Sequence, residues 1–279
     1  MSHRGLVVVL ALALASAGVG AQETRTAFRP CIDPSNLPFA NTNGEGFENR
    51  IADLFASKLG LPVQNYAFPQ RMNFIRNTLR YKLPGEDFRC DVVMSVPVGY
   101  EQVLATRPYY RSTYALVYPK GKGLDAVKTG ADLFALPADR RSQLKIGIHD
   151  KSPASTWLVK HGMEAQVKLY PMLSPDPDRY PGELIEKELA QGKIDAAIVW
   201  GPIAGYYAKR VRNVDLVVVP LRSEPGVRFD YAIAMGVRFG EGEWQQTVEK
   251  LIAENQASIN GILREYSVPL VNERGETID

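Results

Sequence analysis

The sequence predicts an α/β protein made of two α/β lobes, joined by a two-strand hinge, with a central cleft between them. Three observations carry the prediction. Segments that read strand, helix, strand, helix, strand occur in the first hundred residues and again between residues 145 and 200. The strand segments are largely continuous apolar runs, the pattern of a parallel sheet covered by helices on both faces. Extended segments rich in β-branched and aromatic residues lie between the two sets and after the second, so the chain leaves the first unit once and returns once. Two such crossings between two sheets make a hinge beside a cleft.

In the first set, Phe28 to Ile32 reads as a short strand stopped by Asp33-Pro34. Gly46 to Leu59 places Phe47, Ile51, Leu54, Phe55 and Leu59 at helical spacing and ends at Gly60. Val63 to Phe68 is a strand, Met72 to Tyr81 a helix with Met72, Ile75 and Leu79 on one face, and Asp91 to Val96 (DVVMSV) an apolar strand. Arg111 to Pro119 (RSTYALVYP) is the extended crossing.

In the second set, Lys145 to His149 (KIGIH) is a strand. Ser152 to His161 is a helix, with Ser152 or Ser155 as its N-cap and Gly162 past its end. Val167 to Tyr170 is a strand, Pro181 to Gln191 a helix and Ile194 to Trp200 (IDAAIVW) a strand. Leu216 to Leu221 and Tyr231 to Val237 are again strand-like, and helical periodicity runs from Trp244 to Tyr266. The expected divisions are a signal peptide at 1–21, a first lobe at 22–112, a second lobe at 113–221 and a return to the first lobe at 222–279.

The N-terminus supports export. Arg4 precedes an apolar run from Gly5 to Val19, and small residues follow at Gly20-Ala21, the layout of a secretory signal cleaved after Ala21, with Ala17 as the next-best site. The run is shorter than the roughly 20 residues a membrane span needs, no later segment approaches that length, and no Cys follows it to carry a lipid anchor. The expected location is the periplasm. The 33 Lys and Arg against 31 Asp and Glu leave a net charge of +2, which falls to +1 with Arg4 removed. That near-neutral balance, without a basic stripe interleaved with aromatics, argues against a nucleic-acid partner.

Two cysteines remain after the signal, Cys31 and Cys90. An even count in an oxidising compartment favours a disulfide; the other reading is two buried thiols packing as small hydrophobes. No CxxC occurs, so a redox-active dithiol is not indicated.

Several stretches resemble known proteins. CIDPSNLPFAN, GEGFENRIADLFASKLG, DVVMSVPVGYEQVLATRPYYRSTYALVYPKG and GKIDAAIVWGPIAGYYA resemble the type II periplasmic solute-binding proteins, especially the amino-acid-binding kind, over nearly the whole mature chain. The combination of RPCIDPSNLPF, PQRMNFIRNTLR, RCDVVMSVPVGYE, TRPYYRSTYALVYP and DAAIVWGPIAGYYA is similar to the binding-protein-like J component of quinoprotein (PQQ) methanol dehydrogenase systems, the MoxJ/XoxJ-like family. The resemblance implies a type II periplasmic binding protein fold, a methanol dehydrogenase partner (the lanthanide-dependent type ahead of the calcium-dependent one) and no cofactor of its own. It also makes the strands that carry Cys31 and Cys90 neighbours in one sheet, close enough for a bridge.

Departures from the amino-acid-binding pattern shape the expected site. Those relatives use an Arg after the third strand to grip the ligand carboxylate, since a guanidinium can make two parallel hydrogen bonds to it. Gly99 stands at that place here. They also use an Asp after the last strand of the second lobe for the ligand ammonium, and Trp200-Gly201-Pro202 stand there. What remains is an aromatic cleft: Phe39, Tyr109, Tyr110, Tyr114, Trp200, Tyr206 and Tyr207. Strand ends and their loops add Asp33, Asn36, Arg71, Ser95, Pro97, His149 and Ser152. Arg71 could hold an anion with the helix end that follows it, or be a solvated charge.

Catalytic and metal signals are weak. GxSxG, HExxH and a GxGxxG opening a helix are absent, and no carboxylate pair sits in an apolar run. His149 and His161, the only histidines after cleavage, do not cluster with the cysteines as a zinc site would. Asp176 and Asp178 in SPDPDRYPG, with Glu183 nearby, offer oxygen ligands, but a Pro-stiffened surface loop is the stronger reading. No enzyme and no metal are expected. Two functions stay open: a partner that clasps the dehydrogenase to aid its assembly or activation, and a transporter's receptor for a small solute that is not an amino acid.

Overall fold

The computed structural model describes residues 25–70, 73–172 and 179–278. The expected signal peptide, Arg71, Asp176 and Asp178 lie outside the described residues. Nine of the described strands form one sheet with the order Tyr66–Ala67, Pro30–Ile32, Val92–Pro97, Asp230–Val237, Leu104–Pro119, Ala196–Trp200, Ile146–His149, Val167–Tyr170, with Leu216–Pro220 pairing beside Leu104–Pro119, while Ser35–Asn36 and Ala40–Asn41 form a separate hairpin. Tyr66–Ala67, Pro30–Ile32 and Val92–Pro97 are parallel, as are Ala196–Trp200, Ile146–His149 and Val167–Tyr170. Asp230–Val237 and Leu104–Pro119 run antiparallel to their neighbours.

One strand joins the two parts. Leu104 to Thr113 pair with Asp230–Val237, and from Tyr114 onward the same strand pairs with Ala196–Trp200 and Leu216–Pro220. The sequence placed this crossing at Arg111 to Pro119; the strand extends a further seven residues back to Leu104. At the changeover, Thr113 Oγ1 donates to the Leu221 carbonyl at 2.6 Å and Ser112 Oγ to the Pro269 carbonyl at 2.7 Å.

Both faces of the sheet are covered, which is why the strands read as apolar runs. Val92 and Met94 point into one core with Phe28, Phe47, Phe55 and Trp244, while Val93 and Val96 point to the other side with Ile75 and Leu79. The same alternation holds in the second part. Leu116, Tyr118 and Ile198 pack with Trp157 and Phe229, and Ala115, Val117 and Val199 with Leu184 and Tyr207. Cys31 and Cys90 form a disulfide on the Ile75 face, with Cα atoms 5.3 Å apart.

A buried ion network ties Arg25, Arg29 and the 238–241 turn to Asp91 in the first part. Asp91 is fully buried and contacts Arg29 at 2.7 Å, Arg25 at 3.0 Å and Arg238 at 2.6 Å, and Glu241 pairs with both Arg25 and Arg238. A buried carboxylate of this kind persists only when its desolvation is met by such partners.

The helices meet the sequence reading to different degrees. The helix expected at Met72 to Tyr81 is one turn, Phe74–Asn77, since Asn73 takes a left-handed backbone at its start and Thr78 Oγ1 bonds back to the Phe74 carbonyl. The helix expected at Ser152 to His161 is present as Pro153–Lys160, with Ser152 at the N-cap position as expected. The periodicity from Trp244 to Tyr266 is two helices, Gly242–Glu254 and Gln256–Glu265, divided at Asn255. Gly201–Arg210 is a helix that was not assigned, because Gly201, Pro202 and Gly205 lower its propensity. Gly205 is there for contact: a Cβ would lie 1.8 Å from the Ser267 carbonyl oxygen.

Candidate functional site

A cleft of about 930 Å³ opens at the junction of the two parts. One wall comes from the 33–40 loop, the start of the Phe47–Leu59 helix, Val92–Pro97 and Tyr110; the other from His149, residues 170–172 and 179–188, Trp200 and Ile203. Of the expected site residues, Asp33, Asn36, Phe39, Ser95, Pro97, Tyr110, Tyr114, His149 and Trp200 line this one space.

Local chemistry fixes each wall. Asp33 closes the first strand's loop, accepting from the Ser35 amide at 2.8 Å and from the Gln70 amide. The Asn36 side chain bonds to Gln70 at 2.9 Å. Phe39 sits against Phe47 at 5.2 Å, where Gly46 allows the loop to approach; a Cβ there would lie 2.0 Å from the Phe39 carbonyl oxygen. Across the sheet, Tyr114 and Trp200 are register partners, their rings 5.4 Å apart, and Trp200 also packs on Tyr231 at 5.9 Å. Burial lowers the pKa of His149 from its ordinary value, against the opposing charge of Asp150.

Four expected residues, Tyr109, Tyr206, Tyr207 and Ser152, lie off this space. Tyr109 is buried in the first core with its ring 4.8 Å from Tyr110 and its hydroxyl 3.4 Å from Ser95 Oγ. Tyr206 stacks on Tyr266 at 5.8 Å. Ser152 is buried at the N-cap position, and its hydroxyl has no hydrogen-bond partner among the described residues. Tyr207, on the same helix as Tyr206, donates to the Leu37 carbonyl at 3.0 Å.

No family model matches the chain. Among solved structures it is similar to the periplasmic binding protein XoxJ from Methylobacterium extorquens AM1, 33% identical, with a TM-score of 0.70 over 88% of this chain and 100% of that one. The chain belongs to the XoxJ- and MoxJ-like periplasmic binding proteins, of type II fold. It is also similar to MxaJ from Methlophaga aminisulfidivorans MPT, 25% identical with a TM-score of 0.72 over 88% of this chain and 100% of that one. Protein MoxJ of Paracoccus denitrificans is 29% identical over 280 residues, 94% of each chain. Among the described residues no helix is long and apolar enough to cross a membrane.

For a member of this family the cleft floor holds a residue that the sequence reading missed. Glu48 is buried on the cleft wall, where Ser95 Oγ donates to its Oε1. Burial raises its pKa from 4.5 to about 7, opposed by the Ser95 hydrogen bond and reinforced by the charge of Asp33. A signal existed. Glu48 lies three, four and seven residues before Ile51, Ala52 and Phe55, all fully buried, so helical geometry puts it on the buried face. Gly99, which the sequence reading sets against the carboxylate-gripping Arg of amino-acid-binding proteins, has φ +87°, a backbone that disfavours any side chain there.

Proposed function

We propose that the protein is a periplasmic accessory factor of a quinoprotein methanol dehydrogenase, exported by cleavage after Ala21, and that it binds the dehydrogenase through the cleft to aid its assembly or activation. The reading divides the mature chain into a lobe of residues 22–112 with 222–279 and a lobe of residues 113–221, hinged near Ser112-Thr113 and Leu221-Arg222. One observation carries it: the cleft is at the upper end of small-ligand volumes, about 300–1,000 Å³, and is walled by Phe39, Tyr110, Tyr114 and Trp200. Large aromatic side chains dominate protein-interface energetics. Val98, next to the cleft-lining Pro97, and Met172 on the opposite wall are exposed apolar side chains that a protein segment would cover. The family resemblance supports the choice of dehydrogenase.

The test is surface plasmon resonance with the immobilised dehydrogenase, metal-free and metal-loaded. Trp200→Ala should weaken binding by about 2 kcal/mol or more, roughly 30-fold, as removal of a central aromatic anchor does. The metal-free form should bind more tightly. Equal affinity of wild type and variant, with circular dichroism showing both folded, sinks the assignment of this surface. Binding to neither form of the enzyme sinks the partner itself and leaves a solute receptor as the reading.

A further inference from the structure

We propose that the cleft floor, where Glu48, Ser95 and Tyr110 meet, binds a primary ammonium group. The inference rests on reading the cleft as a binding site, and extends it by naming the chemistry the site takes. Glu48 is buried and lines the cleft, yet no Lys, Arg or His among the described residues pairs with it; its one hydrogen bond comes from Ser95. Asp91, by contrast, is buried with three arginines around it. The Tyr110 hydroxyl is a second open group. It is buried, lines the same space and lies near Ser95, but among the described residues it makes no hydrogen bond of acceptable geometry. Buried polar groups without partners are uncommon and expensive. A ligand that donates to both supplies the Tyr110 hydroxyl with a partner and the Glu48 carboxylate with a counter-charge.

The ligand's charge follows from the surroundings. Asp33 adds negative potential at Glu48 and has its own oxygens engaged by the Ser35 and Gln70 amides, so an anion is repelled and a cation drawn in. The rings of Phe39, Tyr114 and Trp200 line the same cleft and offer faces that attract cations. Its shape follows from Ser95. A guanidinium grips a carboxylate with two parallel bonds, but Ser95 engages Oε1, leaving Oε2 for one. A compact ammonium needs one, and its remaining protons can reach the Tyr110 oxygen.

Binding is then linked to pH. Only ionised Glu48 accepts an ammonium, and burial has raised its pKa to about 7. The groups facing it are Ser95 from Val92–Pro97, Tyr109 and Tyr110 from Leu104–Pro119, and Asp33 from the loop after Pro30–Ile32. Burial holds both tyrosines above their ordinary range, so they stay neutral throughout. Affinity for a permanently protonated amine should therefore rise with pH through the Glu48 transition.

The experiment is isothermal titration calorimetry of the protein with n-butylamine, and n-butanol as the uncharged control, between pH 6 and pH 8. The expected result is butylamine binding that tightens about ten-fold across that range, with no such trend for butanol. Glu48→Gln should weaken it at least ten-fold and flatten the pH dependence; Tyr110→Phe should weaken it several-fold. In wild type, carbon-13 NMR of the Glu48 carboxyl should show its titration moving to lower pH when butylamine is added, a readout that needs no variant to fold. No butylamine binding, or binding that Glu48→Gln leaves unchanged, overturns the site. The source of the ammonium is read from the dehydrogenase. If Glu48→Gln also weakens dehydrogenase binding, the group is a lysine or amino terminus of that partner; if not, it is a free amine. Should wild type bind butylamine but no dehydrogenase, the partner reading fails and the ammonium site stands.

Discussion

Glu48 occupies the first turn of the Phe47–Leu59 helix, where the positive end of the helix dipole favours a carboxylate. Burial outweighs that help and leaves the side chain easier to protonate in the folded protein than in the unfolded chain, with a pKa of about 7 against 4.5. Below the lower value both states are protonated and the residue contributes no pH dependence. Between the two the unfolded chain ionises first, so stability falls as pH rises, and above the upper one the loss is complete. Its full size is about 3 kcal/mol. Glu48→Gln has nothing to ionise. In urea unfolding at pH 5 and pH 8, wild type should lose about 2–3 kcal/mol relative to Glu48→Gln between the two conditions. A gap that does not change with pH would show that the carboxylate is solvated. The residue was legible only through its phase: hydrophobic spacing alone ranks Phe47 and Ile51 and passes over an acid on the same face. Tyr109 and Tyr206 show the opposite limit, because an aromatic reads the same in the chain whether its ring meets the cleft, the core or Tyr266.

Elements were legible where burial is two-sided. Val92–Pro97, Ile146–His149 and Ala196–Trp200 lie between two cores, so their apolar runs announce them. Gly201–Arg210 was not, since Gly201 serves close contact with the Thr113 carbonyl and Gly205 with the Ser267 backbone, and glycines lack helix propensity. The Cys31–Cys90 bridge links Pro30–Ile32 to the entry of Val92–Pro97, beneath the short Phe74–Asn77 helix. That helix is a single turn and has little stability of its own; it is held by Ile75 and by Leu79 just beyond it, both packed on the bridge. Closing a loop across a separation of 59 residues removes unfolded-chain entropy worth about 4 kcal/mol on the chain-entropy model. Reduction should therefore lower the free energy of unfolding in urea by up to about 4 kcal/mol, with protection from hydrogen exchange lost first around Phe74–Asn77. Oxidised and reduced protein with the same urea midpoint would show that the bridge adds no stability.

At the scale of the molecule, the two proposed lobes meet in two ways. The backbone crossings are pinned by the Thr113 hydroxyl on Leu221 and the Ser112 hydroxyl on Pro269. On one side of the cleft a second set of contacts reaches between the lobes: the Tyr207 hydroxyl to the Leu37 carbonyl at 3.0 Å, Tyr206 stacked on Tyr266, and Gly205 against Ser267. The crossings are covalent and hold in any arrangement of the lobes. The Tyr207 contact holds only when the 35–41 hairpin and the Gly201–Arg210 helix are close, so in the hinge we propose it acts on the balance between open and closed forms. A single net hydrogen bond is worth about 1 kcal/mol, roughly five-fold in that balance. Tyr207→Phe keeps the ring against Gly182 and Tyr180 and removes only this bond. The expected outcome is faster amide exchange, roughly five-fold, confined to residues 35–41 and the facing helix, together with a larger radius of gyration by small-angle X-ray scattering. If exchange in the hairpin and the radius both match wild type, the contact does not hold the lobes together, and closure has to come from whatever fills the cleft.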